Sequence, residues 1–169
     1  MHAEVIKYCE SVKQRFPEYF TNKAVLDCGS LDINGNNRYL FEKCSYTGID
    51  ICKGKNVDVV TPVQLYKANG NFDMVISTEM LEHDRYYNLS LVKMYLLTNH
   101  KGLLLFTAAG TGRAEHGTTE HLPDDSPKTL DYYCNVTAQM IAEALPLDLF
   151  SWFEISYTNT DIRFAGIKR

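Results

Sequence analysis

Short apolar runs alternate with polar stretches along this chain, and that alternation restricts its fold more than any other feature. AVLDC (24–28), YTGID (46–50), VDVV (57–60), FDMVIS (72–77) and LLLFTA (103–108) are strand-length, and each is followed by a polar or glycine-containing turn and then mostly by helix-compatible sequence. Five such units predict a parallel sheet with helices on both faces. The tail differs. LFSWFEISY and DIRFAGIKR are separated only by TNT, too close for a crossover helix, so they should pair as an antiparallel hairpin. Ahead of the first strand, Val5, Ile6, Cys9, Val12 and Phe16 recur at helical spacing and Pro17 closes the helix, giving an N-terminal helical segment over 1–20. A further helix is expected from about Thr137 to Leu145, and the polar stretch from Ala109 to about Asp131 is too long for an idle connector.

A length of 169 residues with 45% hydrophobic content fits one globular domain over 1–169. The net charge of -4 and pI near 5.7 argue against a broad nucleic-acid surface, because nonspecific affinity of that kind comes from clustered Lys and Arg. No apolar run approaches the roughly 20 residues that span a bilayer, and MHAEVIKYCESVKQRF is too charged for the core of a secretion signal, so no membrane partner and a cytoplasmic location are expected. Cys9, Cys28, Cys44, Cys52 and Cys134 are odd in number and contain no CxxC pair, which indicates neither a disulfide framework nor a cysteine zinc site. Cys28, inside a strand, reads as a buried small hydrophobe. Nothing in the sequence fixes an oligomeric state.

VLDCGSLDINGNNRYLF (25–41) opens like a strand and turn that hold a nucleotide, yet the dinucleotide fingerprint GxGxxG is absent: the equivalent positions are Gly29, Leu31 and Asn34. A pyrophosphate demands very close backbone approach, which disfavours a nicotinamide cofactor. A nucleoside without phosphate asks less: one glycine, plus acceptors for an ammonium group and for ribose hydroxyls. Asp27 and Gly29 supply part of this, and Asp50, ending the next strand, is placed to accept both hydrogens of a ribose diol. The exit of FDMVIS should present Ser77, Thr78 and Glu79 to the same cleft, while Glu82 and His83 read as a solvated helix end.

In order and spacing, LDCGSLDINGNNR, YTGIDICKGKNVDVV, FDMVISTEMLEH, KGLLLFTAAGTGRAEHGT and YYCNVTAQMI resemble the class I S-adenosylmethionine-dependent methyltransferases, in particular a small branch whose first loop reads GSxDxNG. The resemblance covers nearly the whole chain. It implies a Rossmann-like, doubly wound α/β fold with a seven-stranded, mostly parallel sheet, and S-adenosyl-L-methionine as the cofactor. It also implies that Asp27, Gly29 and Ser30 line the methionine part, that Asp50 holds the ribose with Ile51 against the adenine, and that Glu79 and Met80 border the site. Asp32, Asn34 and Gly35 match the branch's loop. Where many relatives carry an acidic residue after the third strand, this chain reads TPVQLY, leaving Thr61 or Gln64 for the adenine amino group.

Methyl transfer from a sulfonium needs alignment and exclusion of water more than catalytic side chains. For a hydroxyl acceptor a base helps, and GRAEHGTTEH in the 109–134 loop offers Arg113, Glu115, His116 and His121, with Tyr132 and Tyr133 beyond. His116 is the expected catalytic residue or substrate contact. No metal is expected, because His116 and His121, with Glu115 and Glu120 beside them, are not a helical i, i+4 pair and lack a further ligand at a recognised spacing. Tyr132 and Tyr133 read as a packing pair at a helix entry. The fourth strand exits through STEM rather than the Asn/Asp-Pro-Pro-aromatic run that grips a nucleic-acid amine, so a small-molecule acceptor is expected and nucleic acid is disfavoured. The competing reading is an inactive cofactor-binding partner or scaffold module.

Overall fold

The structure is a computed structural model describing residues 2–129 and 131–169. Met1, within the expected N-terminal segment, and Leu130, within the expected loop, lie outside the described residues. Strands β1 (Ala24–Cys28), β2 (Ser45–Asp50), β3 (Val59–Val60), β4 (Phe72–Thr78), β5 (Thr98–Ala109), β6 (Phe150–Thr158) and β7 (Asp161–Lys168) form one sheet in the order β3-β2-β1-β4-β5-β7-β6. The first five are parallel, and β7 lies antiparallel between β5 and β6. This is the expected architecture, and the Tyr157–Ile162 and Thr158–Asp161 pairs close the hairpin.

Helices cover both faces. The period-2 alternation of the strands decides what each helix meets. Val25, Met74, Ile76, Leu103, Leu105 and Ala165 point to one side, where Val5, Tyr8, Cys9 and Val12 of α1 (Ala3–Arg15) bury against them. Leu26, Cys28, Val75, Leu104, Phe106 and Phe164 point to the other, under Leu91, Met94 and Leu97 of α2 (Tyr87–Leu97) and Ile141 of α3 (Ala138–Ala144). Phe106 and Phe164 stack across β5 and β7 at 4.8 Å. Each such side chain removed from water contributes roughly 1.5–3 kcal/mol. Cys28 sits in this layer, fully buried, with its thiol pushed well up by burial, as its sequence setting implies.

Two details depart from the sequence pattern. The segments after β1, β2 and β3 contain no α-helix among the described residues, only short 3-10 turns at Arg38–Leu40 and Val63–Leu65. β5 begins at Thr98, before the apolar run at 103, because its polar opening TNHK pairs only partly with β4 and hides the strand's start. α1 ends at Arg15, ahead of Pro17, and α3 is capped by Thr137, whose Oγ1 accepts from Met140 N at 3.2 Å. No described helix is long and apolar enough to cross a membrane.

Candidate active site

Open α/β sheets bind ligands outside the carboxyl ends of their strands, where the strand order reverses. Here that point lies between β1 and β4, and a cavity of about 580 Å³ opens there. It is lined by the expected Asp27, Gly29, Ser30, Asn34, Asp50, Ile51, Thr61, Glu79 and Met80, together with Gly35, Gln64 and His116. Asp32 is not among the lining residues. Its carboxylate accepts from Gly35 N at 2.9 Å and Asn36 Nδ2 at 2.8 Å and pairs with Lys55 at 2.7 Å, so it shapes the loop from behind.

Gly29 turns the chain out of β1 with φ of +79°, and a Cβ there would stand 2.5 Å from Met80 Cγ. Only glycine lets the two loops meet. Beneath it Asp27 is buried and accepts from the Tyr46 hydroxyl and from Asn37 Nδ2. Burial pushes its carboxyl up to about 6, and those two hydrogen bonds work in the opposite direction. Asn37 also donates to Thr78 Oγ1 at 3.0 Å, tying the ends of β1 and β4 together. Neither Tyr46 nor Asn37 carries a motif that would mark it in the sequence.

Asp50 ends β2 and accepts Leu31 N at 3.2 Å on one oxygen and Cys52 N at 2.8 Å on the other. Ile51 N and the Cys52 thiol also bear on this carboxylate, and its remaining side lines the cavity, where a ligand's hydroxyls can reach it. Burial raises its carboxyl, against the pull of those backbone donors. Beside it Ile51 leaves 42% of its surface exposed, an apolar wall without a protein partner large enough to cover it. Gln64 has its amide donors committed to Asp84 and to Ser90 Oγ at 2.6 Å, and through it Asp84, a lining carboxylate the sequence reading missed, is fixed at the cavity wall.

The opposite end of the cavity is built from β4, β5 and α1. Glu79 follows β4 with φ of +56°, a strained position for a side chain of this size. Its Oε1 accepts from Thr107 at 2.9 Å, and its Oε2 lies 3.3 Å from His2 Nε2 and 3.8 Å from Arg113 Nη2. Although burial disfavours its charge, His2 and Thr107 hold its carboxyl below the usual range. Arg113 and His2 also reach Asp161, at 2.5 and 3.3 Å. His2, the residue preceding α1, thus ties the N-terminal helix to the cavity rim.

Several sequence expectations are corrected here. Ser77 does not face the cleft: it is fully buried and its Oγ donates to Cys28 O at 2.8 Å, because the strand pleat turns it away from its neighbours. Glu82 and His83 are not a solvated helix end, with exposures of 0% and 7%. Burial and then the charge of Glu79 push Glu82 well above the carboxylate range, while burial and the neighbouring His116 depress His83 to about 4. Glu82 Oε1 accepts from Ala109 N at 3.1 Å, and Cys134 N donates to Glu82 O, so the 109–134 loop is stitched onto this turn. His121 stays exposed and does not approach His116; the ring beside His116 is His83, at 4.9 Å. Tyr133 is no helix-entry residue but packs on both imidazoles at 5.6 and 5.0 Å, and Tyr132 lines the cavity.

No protein-family model and no curated protein sequence matches the chain. Solved structures do. The 1,6-didemethyltoxoflavin-N1-methyltransferase of Burkholderia thailandensis, with bound 1,6-didemethyltoxoflavin and S-adenosylhomocysteine, superposes with a TM-score of 0.67 at 14% identity over 96% of this chain and 77% of that one. Magnesium protoporphyrin IX methyltransferase from Synechocystis PCC 6803, with bound SAM, gives 0.65 at 12% identity over 96% and 79%. Phosphoethanolamine N-methyltransferase 2 from Haemonchus contortus, in complex with S-adenosyl-L-methionine, gives 0.67 at 16% over 96% of this chain, which spans about half of that protein, 52%. The chain has the fold of these S-adenosylmethionine-dependent methyltransferases.

Proposed function

We propose that the chain is an S-adenosylmethionine-dependent methyltransferase acting on a small polar acceptor. The observation that carries this reading is the pairing at one cavity edge of a strand-end carboxylate that lines the cavity, Asp50, and an uncovered apolar side chain, Ile51. A ribose diol fits the first and an adenine face the second. Gly29 and the buried Asp27 then meet the amino-acid end of the cofactor, and Met80 lies against its middle. When bound, the cofactor supplies an activated methyl group on a sulfonium, so this chain has to position the acceptor and exclude water. His2, Arg113, His116 and Tyr132 form the remaining wall, with the 109–134 loop as its cover. We place His116 at the acceptor's end of the cavity.

A cavity of this volume falls within the roughly 300–1,000 Å³ typical of small-ligand sites, enough for a cofactor and a modest second molecule. The similar structures include complexes with 1,6-didemethyltoxoflavin and with phosphomonomethylethanolamine, both small molecules, which supports an acceptor of that size. The test is a thermal-shift screen of S-adenosylhomocysteine against NAD and NADP. A ligand that binds only the folded state raises its apparent stability, by about 2.7 kcal/mol at a hundredfold excess over Kd. Stabilisation by S-adenosylhomocysteine alone is expected; stabilisation by NAD instead would refute the reading.

A further inference from the structure

Three side chains that cofactor binding does not use converge at the acceptor wall, two of them lining the cavity. Glu82 and His83 stand on the turn Leu81–His83 after β4, and His116 descends from the loop after β5. One ligand-capable atom from each lies within 4.8 Å of the other two. Two of the three residues are buried with an atom lacking any hydrogen-bond partner: Glu82 Oε2 and His83 Nδ1. An unsatisfied buried polar atom costs roughly 1–3 kcal/mol, and such atoms are rare in folded proteins. Two in adjacent residues, both members of a three-residue cluster able to hold a metal ion, are accounted for by a shared occupant.

The third donor is already oriented. His116 Nδ1 lies 3.1 Å from the carbonyl of Ala114, which can only accept, so Nδ1 carries the proton and Nε2 keeps its lone pair. A ring nitrogen donating to a backbone carbonyl while the other stays free is how metal-bound histidines are held. Gly117, with φ of +66°, lets the loop close on His83, where a Cβ would meet its Cε1 at 2.7 Å. Tyr133 walls off both rings.

We propose that Glu82, His83 and His116 bind one divalent transition-metal ion, with its remaining coordination positions open to the cavity. Two imidazoles and one carboxylate favour zinc, cobalt or manganese over calcium or magnesium, and three protein ligands with an open position are the pattern of reactive sites. At metal–ligand distances of about 2.0–2.2 Å the donors must draw in by roughly 1 Å, a movement the loop-borne His116 can supply. His2, Glu79 and Asp161 also cluster within 4.8 Å, but the Arg113 guanidinium already balances their charge. Joined to the proposed methyl transfer, on which this one step rests, the open positions would hold an oxygen of the acceptor and make its hydroxyl more acidic.

The test uses the whole chain stripped with EDTA, titrated with Co²⁺ by visible absorption and with Zn²⁺ by calorimetry, without nucleoside. One ion per chain is expected, weakened roughly tenfold or more in His116→Ala and unchanged in His121→Ala, an exposed histidine of the same loop. Circular dichroism confirms that each variant is folded, and Glu82→Gln provides a second variant of the same set. No binding by the parent chain, binding unaltered in folded His116→Ala, or loss in His2→Ala or His121→Ala would overturn the site. S-adenosylhomocysteine titration of the stripped protein keeps the outcomes separate, since failure of metal binding leaves that affinity intact.

Discussion

Replacing Asp50 by alanine tests the cofactor site at its most specific point. In the free chain the carboxylate accepts from Leu31 N and Cys52 N, and in the proposed function its cavity side accepts the two ribose hydroxyls. A hydrogen bond to a charged acceptor contributes roughly 1.5–3 kcal/mol. Asp50 is only partly buried, so water would resolvate freed hydroxyls and the lower end applies: about 3 kcal/mol for the pair, or about two powers of ten in Kd. The two backbone donors lose their acceptor in the free and bound states alike, so that loss appears in the melting temperature and largely cancels from the affinity. Asp50→Asn keeps one oxygen and forfeits the charge, and should weaken binding by roughly tenfold. Calorimetric titration of S-adenosylhomocysteine into both variants and the parent reads this order directly. Lowering the pH into the carboxylate range should weaken binding to the parent, because protonation of Asp50 removes an acceptor, and should affect Asp50→Asn less. A folded Asp50→Ala chain whose affinity stays within about twofold of the parent would refute the assignment, since 0.4 kcal/mol is about all that such a ratio allows.

Asp27 predicts a pH dependence of stability. Its carboxyl titrates near 6 when folded against 3.8 as the reference for the unfolded chain, so between those values the folded state holds a proton that the unfolded state has released. Stability from this group is therefore full below about 4 and falls as pH rises through 6, by roughly 3 kcal/mol; urea titrations should show that slope in the parent and lose it in Asp27→Asn. Gly29→Ala places a Cβ 2.5 Å from Met80 Cγ at φ of +79°, and should lower stability by about 2–4 kcal/mol and weaken S-adenosylhomocysteine binding together; a variant with parental melting temperature would contradict the packing. Arg113→Met strands the carboxylates of Asp161 and Glu79, of which Asp161 is only 2% exposed, and should cost about 3 kcal/mol by urea denaturation.

What was legible in the sequence was periodicity and turn chemistry. The strands of the sheet, the terminal hairpin and the α1 stripe of Val5, Cys9 and Val12 all follow from spacing, because burial on one face enforces it. Gly29 and Asp50 reach the cavity as their strand-end positions imply, although an acid at a strand end serves equally well as a turn or helix cap. What was hidden depends on contacts between distant segments. Asn37 bridging Asp27 to Thr78, and Gln64 holding Asp84, have no local signature.

Glu82 and His83 show the limit most clearly, and the reason is physical. Two polar residues after a strand are solvated in most proteins, and nothing within their own turn says otherwise. They are buried here because the loop after β5 folds back over them: Cys134 N donates to Glu82 O, Ala109 N to Glu82 Oε1, and Gly117 packs on the His83 ring. The segment whose length marked it as functional is thus also what removes Glu82 and His83 from water. A carboxyl group and an imidazole enclosed in this way keep their polar atoms only if something satisfies them. The 109–134 loop therefore does two jobs with one conformation, covering the cavity and bringing His116 to the donors it has buried. If that coupling holds, hydrogen exchange at Cys134 N should slow on addition of Zn²⁺ in the parent and be unaffected in His116→Ala; equal protection in both would separate loop closure from the three-residue cluster.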